Sequence, residues 1–500
     1  MSGVKYSASL LVWVSLLAAG NAFGESQPNI LLIVSEDNGP ELACYGDRYA
    51  KTPHLDRLAS EGILFRRAYV PQAGCSQSRA SFLTGLYPHQ HGQIGLATWG
   101  FRMFRKDTPN LPQRLKQVGY RTGLIGKLHI NPASAFPFDM HEITSANFQR
   151  NELGGYARYA KEFMNAGEAP FFLSVNYPDA HDPWIRQIDG LPKNPQTKDD
   201  VQIMGYMGIE SPEFREMVAD YYNCMSRLDS LIGDLLQVLD QSGKSDNTIV
   251  IYIGDHGADM LRGKRTCYEG GLRIPMLMRW PGRIAPQVRD EFVSTLDLMP
   301  TLLKVSGASD VTGLPGANLQ SLFQSGSMEW RTHFFAEYHA HAAAPNYFPQ
   351  RSVRGARYKL IESLLPDTVH PDYARTIAKL HGDYAKQNYS GTLALNAVLA
   401  SARPAVRAAY TLMRKPPRYQ LYDLDQDPHE FKNLAADPRY AVVLKDLSQR
   451  LTNWRTKTND PLLDKSKLKR LTREVQSVTK KSVAKKRAWN YPQYLLEARE

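Results

Sequence analysis

Asn29-Ile30-Leu31-Leu32-Ile33-Val34-Ser35-Glu36-Asp37-Asn38-Gly39 is an apolar run that stops abruptly at two carboxylates. A continuous run of this length and composition reads as a central parallel strand covered on both faces. Open α/β sheets place their ligands beyond the carboxyl ends of such strands. Taken alone, the two acids fit a solvated turn just as well. The pattern recurs, however. Thr248-Ile249-Val250-Ile251-Tyr252-Ile253 leads into Gly254-Asp255-His256-Gly257, with Lys264 shortly after. Phe171 to Tyr177 leads into Asp179, His181 and Asp182, and Arg121 to Gly126 opens onto Lys127 and His129. Lys-x-His by itself is a weak signal, although alternate residues of an extended chain face one side. Four buried strands ending in polar, anion-capable or metal-capable residues point to one shared site at the edge of a mostly parallel sheet.

Between these strands lie helical segments. Thr52 to Gly62 reads as a capped helix stopped by glycine, Leu111 to Gly119 as a helix, and Val218 to Leu239 as a long amphipathic helix. A strand from Leu64 to Val70 delivers Cys75-Ser76-Gln77-Ser78-Arg79-Ala80-Ser81-Phe82-Leu83-Thr84-Gly85. Here Cys75 and Ser78 fall in the first turn of a helix, where free N–H groups and the dipole favour an anion. Arg79 adds a planar cation suited to sulfate, phosphate or carboxylate. The plainer reading is a helix start with a half-buried thiol.

Bulk properties set limits. Five hundred residues exceed one core, and 43% hydrophobic with 22% charged residues excludes wholesale disorder. A formal charge of +11 favours polyanionic partners without choosing among them. Residues 1–24 read as an export signal: Lys5, the apolar stretch Leu10 to Ala19, then small residues around Ala22 and Gly24. The apolar stretch is short for a membrane span, so a periplasmic or secreted protein is expected. Four cysteines (Cys44, Cys75, Cys224, Cys267) are too few for a disulfide scaffold and match no zinc spacing. The catalytic region is expected over 25–344, a smaller α+β domain over 345–460, and a basic tail over 461–500. The smaller domain would hold strands at Arg351–Arg354 and Tyr358–Ile361 and a hairpin or strand from Tyr419 towards a terminal helix. The tail, with Lys465, Lys467, Lys469, Arg470, Arg473, Lys480, Lys481, Lys485, Lys486 and Arg487, is most simply solvated and partly helical. Holding a polyanionic substrate or surface is the alternative.

With these residues placed, the chain resembles the type I sulfatases of the alkaline-phosphatase-like superfamily. Cys75 to Gly85 is similar to the family signature C-x-P-S-R followed by x-x-x-L-T-G. His89-Gln90-His91-Gly92, Gly119 to His129, Phe136-Pro137-Phe138-Asp139 and Asp179-Ala180-His181 strengthen the likeness. So do Arg351 to Arg354 and the stretch from Leu421 through Asp427-Pro428-His429-Glu430 to Ala435. Together they resemble the heparan N-sulfatase (sulfamidase) branch most. The resemblance implies a large mostly parallel sheet flanked by helices, with a smaller C-terminal domain. It further implies hydrolysis of sulfate from sulfated amino sugars or glycosaminoglycans through a formylglycine made from Cys75 by a maturation enzyme. Ca2+ would be held by Glu36, Asp37, Asp255 and His256. Arg79, Lys127 and Lys264 would stabilise the sulfuryl group, His129 would sit beside the nucleophile, and His181 would protonate the leaving group. The expected partner is a sulfated sugar rather than nucleic acid or a membrane span, and a homodimer is compatible with the family.

Three positions depart from the family pattern: Gln77 stands for Pro, Glu36 for the commoner Asp, and His256 for an Asn found in many members. Other readings are an O-sulfatase on another polysaccharide, with Glu337, His339 and His341 near the sugar, or a phosphoester or phosphonoester hydrolase on the same scaffold. An unmodified protein that only binds sulfated glycans is the reading from outside enzymology.

Overall fold

The computed structural model describes residues 27–326, 328–370 and 395–497. The export signal read at 1–24 lies outside the described residues. The main sheet has nine strands: β1 (Asn29–Ser35), β2 (Ile63–Tyr69), β3 (Arg121–Gly126), β4 (Met140–Glu142), β5 (Phe171–Asn176), β6 (Thr248–Gly254), β7 (Arg273–Ile274), β8 (Met276–Arg279) and β9 (Gln287–Ser294). Their order is β4-β3-β5-β1-β6-β8-β2-β7, with β9 pairing β2. The five strands from β4 to β6 are mutually parallel, whereas β8 runs antiparallel between β6 and β2.

Every residue of β1 is buried. Its side chains alternate between two cores, as a period of two requires. Ile30, Leu32 and Val34 join one hydrophobic cluster, and Leu31 and Ile33 join the other. Helices therefore cover both faces, and a run with no polar alternation is what that environment selects. Helices α1 (Pro53–Ser60), α2 (Cys75–Thr84), α3 (Leu111–Lys116), α4 (Gly155–Asn165), α5 (Pro212–Gln241) and α6 (Leu298–Ser306) supply the layers. Leu111 and Leu115 of α3 pack with α2 on one face; Phe214, Met217, Leu228 and Leu235 of α5 pack on the other. Thr52 precedes α1 without capping it: its hydroxyl accepts from Ala43 N at 3.1 Å instead.

Register brings the strand ends level. Val34 pairs with Asn176 on one side and Ile253 on the other, and Gly126 pairs with Asn176. Glu36, Lys127, Tyr177 and Asp255 then follow within a residue or two of one line across the sheet. Gly126 is needed at this edge: its φ is +93°, and a Cβ would lie 2.2 Å from Asn176 O.

A second, antiparallel sheet contains β10 (Phe334–Ala340), β11 (Tyr347–Arg354), β12 (Tyr358–Ser363) and β13 (Tyr419–Asp423), in that order. Its first strand precedes residue 345, so the change of texture expected there falls inside the sheet rather than ahead of it. Helix α7 (Ala441–Lys457) packs on this sheet through Leu447, Leu451 and Trp454.

The basic segment is not a solvated tail. It folds into α8 (Lys465–Gln476), α9 (Lys481–Lys486) and a last helical turn at Tyr491–Tyr494. Leu471, Val475, Val478, Ala484, Trp489 and Tyr491 bury against Ile94, Phe101 and Tyr347. The apolar positions are interleaved with lysines, so charge density hid an amphipathic pattern. All four cysteines are unpaired.

Candidate active site

The strand ends and the start of α2 converge on Cys75. Gly74 is the N-cap and Cys75 the first helical residue, buried to 1% exposure. Gly85, at φ +71°, closes the helix. Cys75 Sγ lies 3.3 Å from His256 Nε2. That ring is oriented by its other nitrogen, 2.9 Å from Gly257 O. Burial opposes charge on His256, but Asp255, Asp37 and Cys75 outweigh it and lift the ring to about 9.

Three cations frame the thiol. Lys264 Nζ donates to Asp37 Oδ2 at 2.8 Å and Oδ1 at 3.0 Å. Lys127 Nζ donates to Glu36 Oε2 at 2.7 Å. Arg79 donates to Lys127 O at 2.9 Å and Asn176 Oδ1 at 2.7 Å, pairs with Glu36 Oε1, and stands 3.2 Å from Asp255 Oδ2. All three are at most 5% exposed. Burial disfavours charge on each, yet the neighbouring carboxylates and Cys75 raise Arg79, Lys127 and Lys264 above their ordinary values. Glu36 is held below the usual carboxylate range for the converse reason: Arg79 and Lys127 overcome its burial.

The two expected histidines differ in kind. His129 has φ +57°, and both ring nitrogens are buried without a hydrogen-bond partner. Burial, then Lys127, Arg79 and Lys264, keeps it neutral, well below the ordinary value. Two idle polar atoms on a left-handed residue are a mark of a built site. His181 donates from Nδ1 to Asp182 O at 2.6 Å, which leaves the Nε2 lone pair facing Asp37 Oδ2 at 3.9 Å. Burial, Lys264 and Lys127 hold it well below the ordinary value too. Its ring stacks on Phe148 at 3.9 Å.

The four expected metal ligands fall into two overlapping sets of donors, each within 4.8 Å. Asp37, Asp255 and His256 group with Cys75; Glu36 and Asp37 group with Cys75 and His181. Asp255 Oδ2 is buried and faces the Arg79 guanidinium at 3.2 Å without a well-aligned hydrogen bond, and Asp37 itself has φ +51°. A buried pocket rich in carboxylate oxygens fits a hard divalent cation.

Sequence reading missed several supports. Asn176, the last residue of β5, accepts from Arg79 and could have been found by the same strand-end rule. Asp179, already read as a strand-end acid, owes its place to partners the sequence did not show: it is fully buried and accepts from Arg227 at 2.7 and 2.8 Å and from Arg150 at 3.0 Å. Arg150 also donates to His181 O, tying the turn to both arginines. Nothing local marks Arg150 or Phe148, because their loop reaches the site only after folding. Glu337 and His339 are buried beside His89 and Arg351: Glu337 Oε2 is 2.7 Å from His89 Nδ1 and 3.4 Å from Arg351 Nε. His341 keeps a buried, unpartnered Nδ1, with Lys264 and Arg265 the strongest charges acting on it.

Comparison with known proteins agrees with this geometry. The sulfatase family model matches residues 28–308, and the model for the C-terminal region of N-sulphoglucosamine sulphohydrolase matches residues 254–371. Human N-sulphoglucosamine sulphohydrolase is 31% identical over 473 residues, covering 87% of this chain and 91% of the relative. An ulvan-active sulfatase of Formosa agariphila is 27% identical, covering 90% and 84%. Among solved structures, a protein in complex with its substrate D-glucosamine-2-N,6-O-disulfate superposes with a TM-score of 0.64 at 20% identity, covering 87% and 99%. The phosphonate monoester hydrolase of Agrobacterium radiobacter gives 0.62 at 19%, covering 86% and 96%, and at that identity shares the fold alone. The parallel sheet, the thiol at the start of α2 and a family model spanning more than half of the residues lead to one conclusion: the chain belongs to the sulfatase family of hydrolases.

Proposed function

We propose that this enzyme removes sulfate from sulfated amino sugars or glycans, with N-sulfoglucosamine of heparan or heparin type preferred, in the periplasm or outside the cell. The observation that carries the reading is Cys75 at the start of α2 between Arg79, Lys127 and Lys264, in a chain 31% identical to the human sulphohydrolase. Formylglycine at position 75, made by a maturation enzyme, would supply a nucleophilic oxygen and a means of releasing sulfate afterwards. Calcium held by Glu36, Asp37, Asp255 and His256 would supply a hard positive centre.

The chain's own groups do the rest. Glu36, Asp37 and Asp255 balance Arg79, Lys127 and Lys264, so a divalent cation leaves positive charge for an anionic sulfo group to meet. Arg79, Lys127 and Lys264 are preorganised by carboxylates and by Asn176, and need no reorientation as charge builds on the sulfo oxygens. His129, kept neutral, offers a hydrogen bond without adding charge. His181 begins neutral with its Nε2 lone pair towards the site. An incoming anion offsets Lys264 and Lys127, so the ring takes up a proton that it then delivers to the leaving amine or hydroxyl.

The test has two readouts. The Cys75 peptide from native-host protein should be lighter by about 18 Da, as thiol-to-aldehyde conversion requires, and N-sulfoglucosamine should turn over faster than 6-O-sulfoglucosamine. An unmodified Cys75 with no turnover would sink the reading. The likeness to ulvan-active sulfatases favours O-sulfate ester hydrolysis as the second reading, which the reverse ranking of substrates would establish.

A further inference from the structure

Residues 461–497 carry ten Lys and Arg against three Asp and Glu, a formal excess of seven within the chain's +11. Two of the three acids are engaged within the segment, and Glu497 is exposed at its end. Asp464 caps α8 through Ser466 N, and Glu474 accepts from Asn490 N at 2.6 Å and Tyr494 OH at 2.7 Å. Most of the cations face outward, Lys467 being the buried exception with its Nζ donating to Leu495 O at 3.3 Å. Lys465, Lys469 and Arg473 line one side of α8 at four-residue spacing, and Lys481 and Lys485 do the same on α9, flanked by Lys480 and Lys486. All seven are exposed, and none makes an ion pair among the described residues.

This strap is fastened to the rim of the active site. Trp489 Nε1 donates to Trp99 O at 3.1 Å, and Tyr491 OH lies 3.0 Å from Gly92 O and accepts from Arg102 N at 2.7 Å. Gly100, at φ +76°, sits so close to α9 that a Cβ would come 2.7 Å from Ala484 O. The clamped loop reaches the nucleophile's neighbour: Ala97 N donates to Ser76 Oγ at 2.9 Å. Three residues of chain separate Ala97 from Gly100, at most ~10 Å.

We propose that the outer face of α8 and α9 is an exosite that holds a sulfated polysaccharide chain while one of its sugars occupies the site at Cys75. The inference rests on the sulfatase reading and narrows its substrate to a polymer. Seven like charges on adjacent helices repel one another, and a folded strap keeps them apart at fixed points where a polyanion relieves the repulsion. Six of the seven are lysines, compact point charges that suit sulfates in any register rather than forked recognition of one group. Charge complementarity alone would also admit nucleic acid or an anionic membrane, but the packing disfavours both. The strap's aromatic rings, Trp489, Tyr491 and Tyr494, are buried and offer no stacking platform for bases. Leu471, Val475, Val478, Ala484, Trp489 and Tyr491 are turned into the protein and leave only isolated apolar side chains such as Val483 outside, whereas a membrane-lying helix presents a continuous apolar face to lipid.

The test uses full-length protein with Lys480→Gln, Lys481→Gln, Lys485→Gln and Lys486→Gln combined, and a fluorescent heparin decasaccharide as probe. Binding should weaken at least tenfold and lose steepness against salt, while turnover of monosaccharide N-sulfoglucosamine stays at the wild-type rate. Unchanged heparin affinity in a variant with the wild-type melting curve would overturn the exosite. Tighter wild-type binding to duplex DNA or phosphatidylserine vesicles than to the decasaccharide would overturn the choice of ligand. Should the fourfold variant fail to fold, Lys465→Gln with Lys469→Gln and Arg473→Gln gives the same comparison on α8. Wild type that cleaves no sulfated sugar, yet binds heparin through these lysines, would refute the proposed function and leave the exosite standing.

Discussion

Gln77→Pro restores the family signature, and the structure says what the change does to the fold. Gln77 is the third residue of α2, and the first intrahelical bond is Ser78 N to Gly74 O at 2.9 Å. The Gln77 N–H is therefore among those a helix start leaves without an intrahelical partner, so a proline there removes no ladder bond. What is lost is the side-chain bond from Nε2 to Ala340 O at 2.5 Å. That carbonyl keeps Gln72 Nε2 at 3.2 Å, so it is not orphaned. The lost bond costs about 1 kcal/mol, and the space left by a shorter side chain about 1–2 kcal/mol more. Against this, Gln77 Oε1 is buried without a partner, and removing it returns about 1–3 kcal/mol. Proline's stiffening of the unfolded chain adds about 0.4–1 kcal/mol. The terms cancel to within about 2 kcal/mol, so the variant should fold with a denaturation midpoint close to wild type. Expressed beside a maturation enzyme that reads C-x-P-S-R, it should carry a larger fraction of the peptide lighter by about 18 Da. Thermal denaturation and intact-peptide mass check both halves. Collapse of the midpoint would refute the reading of Gln77 as a replaceable tie to β10, and an unchanged modified fraction would refute the idea that this position limits maturation.

Asp179→Asn leaves Arg227 and Arg150 buried beside a neutral amide, and removing one partner of such a pair costs about 3–5 kcal/mol; urea denaturation should show it, and turnover should fall because Arg150 also holds His181 O. His91 is buried, with Nδ1 accepting from Gln93 N at 3.0 Å and Nε2 beside Ser81 Oγ at 3.0 Å, and burial pushes it down to about 3. A folded value below the ordinary 6.5 means stability that is whole above pH 6.5 and drains as pH falls towards 3, at about 1.4 kcal/mol per pH unit. Between pH 6.5 and 5 wild type should lose about 2 kcal/mol more than His91→Gln; equal losses would contradict this. Adding Ca2+ to chelator-treated protein should raise the melting temperature by mass action, and Asp255→Asn should remove the rise. Because His256 carries a proton near neutral pH without metal, the binding heat should depend on the buffer's ionisation heat, as release of about one proton requires.

What was legible in the sequence follows from range of interaction. The strands of the parallel half of the sheet are buried on both faces, so nearly every residue in them is apolar and their ends are unmistakable. Register does the remaining work: once β1, β3, β5 and β6 pair, Glu36, Lys127, Asp179 and Asp255 have to meet. Most of the groups around Cys75 could be read because they follow the ends of β1, β3, β5 and β6 or lie in the α2 signature; Lys264 comes from the loop ten residues beyond β6. The supports of these groups could not be read. Arg150 and Phe148 come from a loop with no periodicity, and their partners are 31 and 33 residues away in His181.

The basic segment shows the opposite error, where composition spoke too loudly. In α8 the buried positions Leu471 and Val475 stand among Lys465, Lys467, Lys469, Arg470 and Arg473, and mean polarity conceals a narrow apolar stripe. A stripe so narrow buries too little surface to hold a helix alone. It needs the groove formed by Ile94, Phe101 and Tyr347, which exists only when the catalytic unit has folded. The strap's order thus depends on the fold of the site it borders. A perturbation of the Gly92–Arg102 loop should loosen strap and site together, whereas neutralising the outward lysines should touch neither fold nor chemistry. That asymmetry separates a face kept for structure from one kept for a ligand.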